Sequence, residues 1–192
     1  MKATEIRDHV DLETWLEGQS REVYVWIAAR AAARALPIYW QEVAQNITGQ
    51  TADLTALPVF RAVLTAASFA YAEDDAVRDR VAASAPAALS AAVIAAPAAP
   101  AAPATSAAAA ATNAAYAAVN AAPATARAAK YAAECAALAA DDASCAYATF
   151  ADVRWVESHG LTADRPLWPE GMPDEIAQAW QATLRALPEA AG

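Results

Sequence analysis

The chain has 192 residues, 62 of them alanine, with 58% hydrophobic and 18% charged residues and a formal net charge of −9. Alanine inflates the hydrophobic fraction without adding core bulk, since its single methyl is worth about 0.8 kcal/mol on burial. The acidic balance and the lack of a basic run exclude non-specific nucleic-acid binding, which needs Lys and Arg to displace counterions, and two cysteines exclude a disulfide scaffold.

The N-terminal stretch MKATEIRDHVDLETW is polar and acidic, unlike a secretory signal, and a cytoplasmic location is the expectation. The first strong helix is predicted over 20–36. Ser20 is a good N-cap type, Glu22 complements the positive helix end, and Val23, Ile27 and Ala31 recur at helical spacing. Pro37 is expected to kink or break it before a shorter continuation to Asn46. A second helix is predicted from Asp53 with Pro58 in its first turns. Val59, Val63, Ala66 and Ala70 form its stripe. Glu73-Asp74-Asp75 reads as the acidic start of a third helix.

Residues 81–126 carry no charge, whereas 1–80 sum to −4 and 127–192 to −5. All six tryptophans lie outside 41–154. Three parts are therefore expected: N-terminal helices over 1–80, an Ala-rich helical array over 81–160, and a Pro-rich loop with an amphipathic helix over 161–192, together one compact unit. Within the array, AlaProAlaAlaProAlaAlaProAla at 96–104 suits an extended polyproline II link. Short helices are expected at 105–121, 125–140 and 145–158, with Tyr116, Tyr131 and Tyr147 placed one per helix. His159-Gly160 ends the last of them. In the C-terminal part Ile176, Trp180, Leu184 and Leu187 mark one helical face.

The uncharged stretch raises the question of a membrane span. Pro86, Pro97, Pro100, Pro103 and Pro123 cut it, and its alanines lack the Leu/Ile/Phe content of a lipid-exposed helix. Cys135, Cys145, His9 and His159 match no zinc spacing, so no metal and no cofactor is expected. Asp141-Asp142 reads as a helix cap. Asp152 with Glu157 is the nearest approach to paired carboxylates, and Glu157-Ser158-His159 has the residue types of a triad but reads as a helix end.

Trp26, Arg30 and Arg34 fall at i, i+4 and i+8, so one helical line carries an indole and two guanidiniums. Trp and Arg are the types most enriched at binding hot spots. These three, with Trp168 in Pro166-Leu167-Trp168-Pro169, are the candidate partner-binding residues. The competing reading has the arginines pairing with acids of their own chain. No catalytic residue is assigned.

The segments LETWLEGQSREVYVWIAARAAARALP (12–37), LPVFRA (57–62) and RPLWPEGMPDEIAQAW (165–180), with an Ala-rich array between, resemble a family of alphaproteobacterial Ala-rich helical proteins. Members often continue past the last helix into a Trp- and Tyr-rich segment. The resemblance implies a bacterial origin and no activity.

The expected fold is all-α, a bundle or irregular stack of short Ala-rich helices, with the N- and C-terminal helices sharing a bulkier core. The expected function is a non-catalytic helical interaction or scaffold module, its partner a protein, either a second copy or another chain, with no nucleic acid. A membrane-active, toxin-like protein is the alternative. An enzyme whose pocket is invisible in sequence is the second alternative.

Overall fold

The chain is described by a computed structural model at residues 1–46, 50–72, 74–95, 102–119, 122–140, 144–162, 164–174, 176–178 and 180–181. Its architecture is all-α, and no strand occurs among the described residues. A 3-10 turn at Ala3–Glu5 precedes α1 (His9–Leu16), α2 (Arg21–Asn46), α3 (Gln50–Tyr71), α4 (Asp75–Ala95), α5 (Ala102–Val119), α6 (Ala122–Ala140) and α7 (Ser144–His159).

Helix α2 is the axis of the fold. It packs against α3, α5, α6 and α7, and residues 23–32 are buried without interruption. A helix apolar on all sides belongs in the interior, and the composition of 23–35 meets that condition everywhere except at Arg30 and Arg34. Around it, α3 packs on α4 and α5, α4 on α5, α5 on α6, and α6 on α1 and α7. The facing surfaces are alanine: Ala28, Ala31, Ala32 and Ala35 on α2, Ala107 to Ala117 in part on α5, and Ala128, Ala129, Ala132, Ala133 and Ala136 on α6. Small side chains let helix axes approach the short end of the usual 8–10 Å range, so dispersion between backbones replaces side-chain bulk. One continuous core runs from Ala3 to Val156.

Helix ends follow local chemistry. Asp8 caps α1, which sequence periodicity had not indicated, by accepting from the Val10 and Asp11 amides at 2.9 Å each. Asp74 does the same for Ala76 at the start of α4. Gly160 ends α7 in the left-handed region, with φ 74°, and donates to the Val156 carbonyl.

The prolines behave differently from expectation. Pro37 does not break α2, Pro58 lies deep inside α3, and Pro86 lies inside α4. A mid-helix proline costs about 3 kcal/mol. Ala35 and Tyr39, on both sides of Pro37, are completely buried, and tertiary packing of this kind can offset a local helix cost. The extended link expected at 96–104 is corrected at its end, since α5 begins at Ala102 and takes Pro103 into its first turn, where a missing N–H is tolerated. Residues 96–101 lie outside the described residues.

At the C-terminus, Ile176 is buried against Cys145, with Ile38 and Trp168 packed alongside. The C-terminal segment thus meets α2 and α7. Trp180 does not continue this buried face; it is 41% exposed. Leu184, Leu187, Asp141 and Asp142 lie outside the described residues. No helix among the described residues is long and apolar enough to cross a membrane.

Candidate functional site

The line of Trp26, Arg30 and Arg34 is present on α2, but it faces inward. Trp26 and Arg34 are completely buried and Arg30 nearly so. The expectation that these three form a contact surface is corrected: their guanidiniums are held by an acid of the same chain. Trp168 alone of the four candidates remains half-exposed.

The acid is Asp152 on α7, itself completely buried. Its Oδ2 accepts from Arg30 Nε at 2.8 Å and from Arg34 Nη2; its Oδ1 accepts from Arg30 Nη2 at 3.2 Å and from Arg165 Nε at 2.8 Å. Three guanidiniums therefore surround one carboxylate. The surplus donors meet the backbone of the loop after α7. Arg30 Nη1 donates to the Arg165 carbonyl at 3.0 Å and Nη2 to that of Pro166, while Arg34 Nε and Nη2 donate to the Leu167 carbonyl at 3.0 and 2.8 Å. Arg34 Nη1 also reaches the Thr149 hydroxyl oxygen at 3.3 Å. Burial pulls the Arg34 pKa below its ordinary value; Asp152 opposes that shift and Arg30 adds to it.

Each guanidinium also lies over an indole: Arg30 over Trp26 at 4.5 Å, Arg34 over Trp168 at 5.5 Å, and Arg165 over Trp155 at 4.6 Å from the ring centroid. Such stacking favours arginine, whose planar cation is weakly hydrated, over lysine. The cluster joins α2, α7 and three consecutive carbonyls of the loop.

That loop forms one wall of a cleft. Trp168, Pro169, Glu170, Gly171 and Pro173 face Tyr147, Ala148 and Ala151 of α7 across a space of about 260 Å³. The turn is written in Trp168-Pro169-Glu170-Gly171. Gly171 donates to the Trp168 carbonyl at 3.2 Å, proline occupies the second position as such turns prefer, and Gly171 has φ 95°, which a side chain would strain. Tyr147, the last of the evenly spaced tyrosines, is 67% exposed here. Tyr116 and Tyr131 border a separate space of about 300 Å³ with Asn113 and Arg127.

The remaining candidate chemistry does not assemble. Glu157 accepts from the Ala3 amide at 3.0 Å, Ser158 donates to the Arg154 carbonyl, and His159 Nδ1 meets the Trp155 carbonyl. Asp152 and Glu157 thus serve different contacts. Cys145 is buried and Cys135 half-buried, its thiol pKa raised by burial. Among the described residues no group of three His, Cys, Asp or Glu side chains could hold a metal ion.

Sequence reasoning missed Asp152 and Arg165 as members of the cluster. A signal existed for the first: Cys145, Thr149, Asp152 and Val156 make one buried stripe of α7, in which a carboxylate requires a buried partner. For Arg165, in an irregular loop, periodicity offered nothing. No family model matches the chain, and neither a curated protein nor a solved structure matches it.

Proposed function

We propose that this protein is a non-catalytic helical interaction module, and that its contact site is the cleft between Tyr147 and Trp168. The observation that carries the reading is the use made of the arginine cluster. Two buried guanidiniums bind the three carbonyls immediately before Trp168, so the cleft wall is fixed before any partner arrives. Fixing a binding loop in advance removes ordering cost from association, and sites on rigidly supported elements are the more specific ones.

The lining indicates the partner. Two aromatic rings with Pro169, Pro173, Ala148 and Ala151 offer an apolar cleft, and aromatic-lined grooves accept prolyl rings of extended segments. Glu170 lines the cleft and Asp174 adjoins Pro173; both are exposed. An acidic rim on an acidic protein complements a basic partner. The partner of this reading is a proline-containing protein segment flanked by Lys or Arg.

Selection from a library of displayed peptides tests this. The expected result is enrichment of segments combining Pro with Lys or Arg, with binding lost in Trp168→Ala and reduced in Glu170→Gln while the circular dichroism spectrum is unchanged. Equal enrichment on the Trp168→Ala variant, or enrichment of acidic segments, rejects the reading.

A further inference from the structure

The arginine cluster is unbalanced. Three guanidiniums meet one carboxylate, giving +2 in a chain whose overall charge is −9, so the residues outside the cluster sum to −11. Buried charge requires compensation by opposite charge as well as by hydrogen bonds. Arg30 and Arg34 direct their terminal nitrogens at Asp152, backbone carbonyls and Thr149. Arg165 differs. Its side chain is 7% exposed, its Nε is bound to Asp152, and its plane is held against Trp155. Yet its two terminal nitrogens donate to no described residue, and since neither is among the buried atoms left without a partner, they reach solvent. Asp164, its neighbour in the chain, is exposed and pairs with none of the three arginines.

We propose that the outward edge of Arg165 binds a dianion of the phosphate class, free or esterified, which balances the charge of the cluster. The terminal nitrogens of a guanidinium form a planar fork suited to two oxygens of one oxyanion. Stacking on Trp155 and the Nε bond to Asp152 fix the fork's direction before the ligand arrives. A second donor borders the same indole: Thr162 Oγ1 accepts the Trp155 Nε1–H at 3.0 Å and keeps its own O–H to donate. A dianion, the charge a phosphate monoester approaches at pH 7, matches the surplus of two. The acidic remainder of the protein repels anions at long range, but that field is screened beyond about 8 Å at physiological ionic strength. This site is separate from the Tyr147–Trp168 cleft and does not depend on it.

The test is titration of the full chain with inorganic phosphate and with phosphoserine, at fixed physiological ionic strength, against chloride and acetate controls. Binding is read from the Arg165 Nε–H resonance and from Tm. Phosphate is expected to shift that resonance saturably and to raise Tm, because a ligand bound only by the native state stabilises it. Tighter binding of phosphoserine assigns the site to an esterified phosphate, and equal affinities assign it to the free ion. Arg165→Gln should weaken binding more than tenfold. Arg165→Lys keeps the charge and protects the fold but lacks the fork, and it should weaken binding comparably. Equal shifts with chloride or acetate, or wild-type phosphate affinity in Arg165→Lys, overturn the proposal.

Discussion

The guanidinium of Arg34 lies 5.5 Å from the ring centroid of Trp168 and donates twice to the carbonyl of Leu167, the residue just before it. A completely buried side chain of the central helix thereby fixes the wall of an open cleft. Stability and site geometry are coupled through this contact.

Asp152 holds that arrangement together. Replacing it with Ala leaves three guanidiniums facing one another in the core. Breaking a buried ion pair by removing one partner costs about 3–5 kcal/mol, and chemical denaturation of Asp152→Ala should show a loss of at least that size. Asp152→Asn keeps two oxygen-and-nitrogen positions of similar shape and should fall between Ala and wild type.

Arg34→Lys keeps one charge but loses the fork and the flat stacking surface. It should leave the helix content unchanged while freeing Trp168. With 5-fluorotryptophan incorporated, the fluorine resonance of Trp168 should narrow and move towards the solvent-exposed position. The resonance of Trp40, which packs edge-on against Phe60 at 5.8 Å, should stay in place.

Burial lowers the pKa of His9 from its ordinary 6.5. Its ring stands 5.8 Å from Phe150, and its Nε2 is buried with no hydrogen-bond partner among the described residues. Glu134 and Asp8 favour the charged form, Lys130 opposes it, and desolvation is the largest cause. Because the folded pKa is the lower one, protons bind preferentially to the unfolded chain. The contribution to stability is full above pH 6.5 and declines as pH falls from 6.5 towards the lowered folded value. His9→Phe should flatten the pH dependence of the denaturation midpoint in that interval relative to wild type.

The alanine interfaces leave no room for larger side chains. Ala111 on α5 is completely buried, and Ala111→Leu should destabilise by about 1–3 kcal/mol through overpacking. Leu64 on α3 is 64% exposed, and Leu64→Ala should change stability by less than about 0.5 kcal/mol. Thermal denaturation of the two variants compares them directly.

The all-helical fold was legible because alanine propensity and the stripes through Val23, Ile27 and Ala31 and through Val59, Val63, Ala66 and Ala70 are local signals. All seven of these side chains are buried. The prolines misled because their cost is local, whereas the packing that offsets it is tertiary. Spacing correctly placed Trp26, Arg30 and Arg34 on one line but could not tell a surface line from a buried one. That depended on Asp152, more than a hundred residues away in the chain. The turn at Trp168-Pro169-Glu170-Gly171 was readable as a loop, but the face of α7 opposite it was not.

Three arginines share one carboxylate, and two of them grip the loop. The arginine Nε–H region of a nitrogen-15 spectrum, recorded during hydrogen exchange, reads this directly, since the Nε of Arg30, Arg34 and Arg165 donate respectively to Asp152, the Leu167 carbonyl and Asp152. Three slowly exchanging Nε–H signals are expected, with those of Arg30 and Arg165 lost to fast exchange in Asp152→Ala, which removes their acceptor. Fast exchange of these three signals in the wild-type protein would contradict the account.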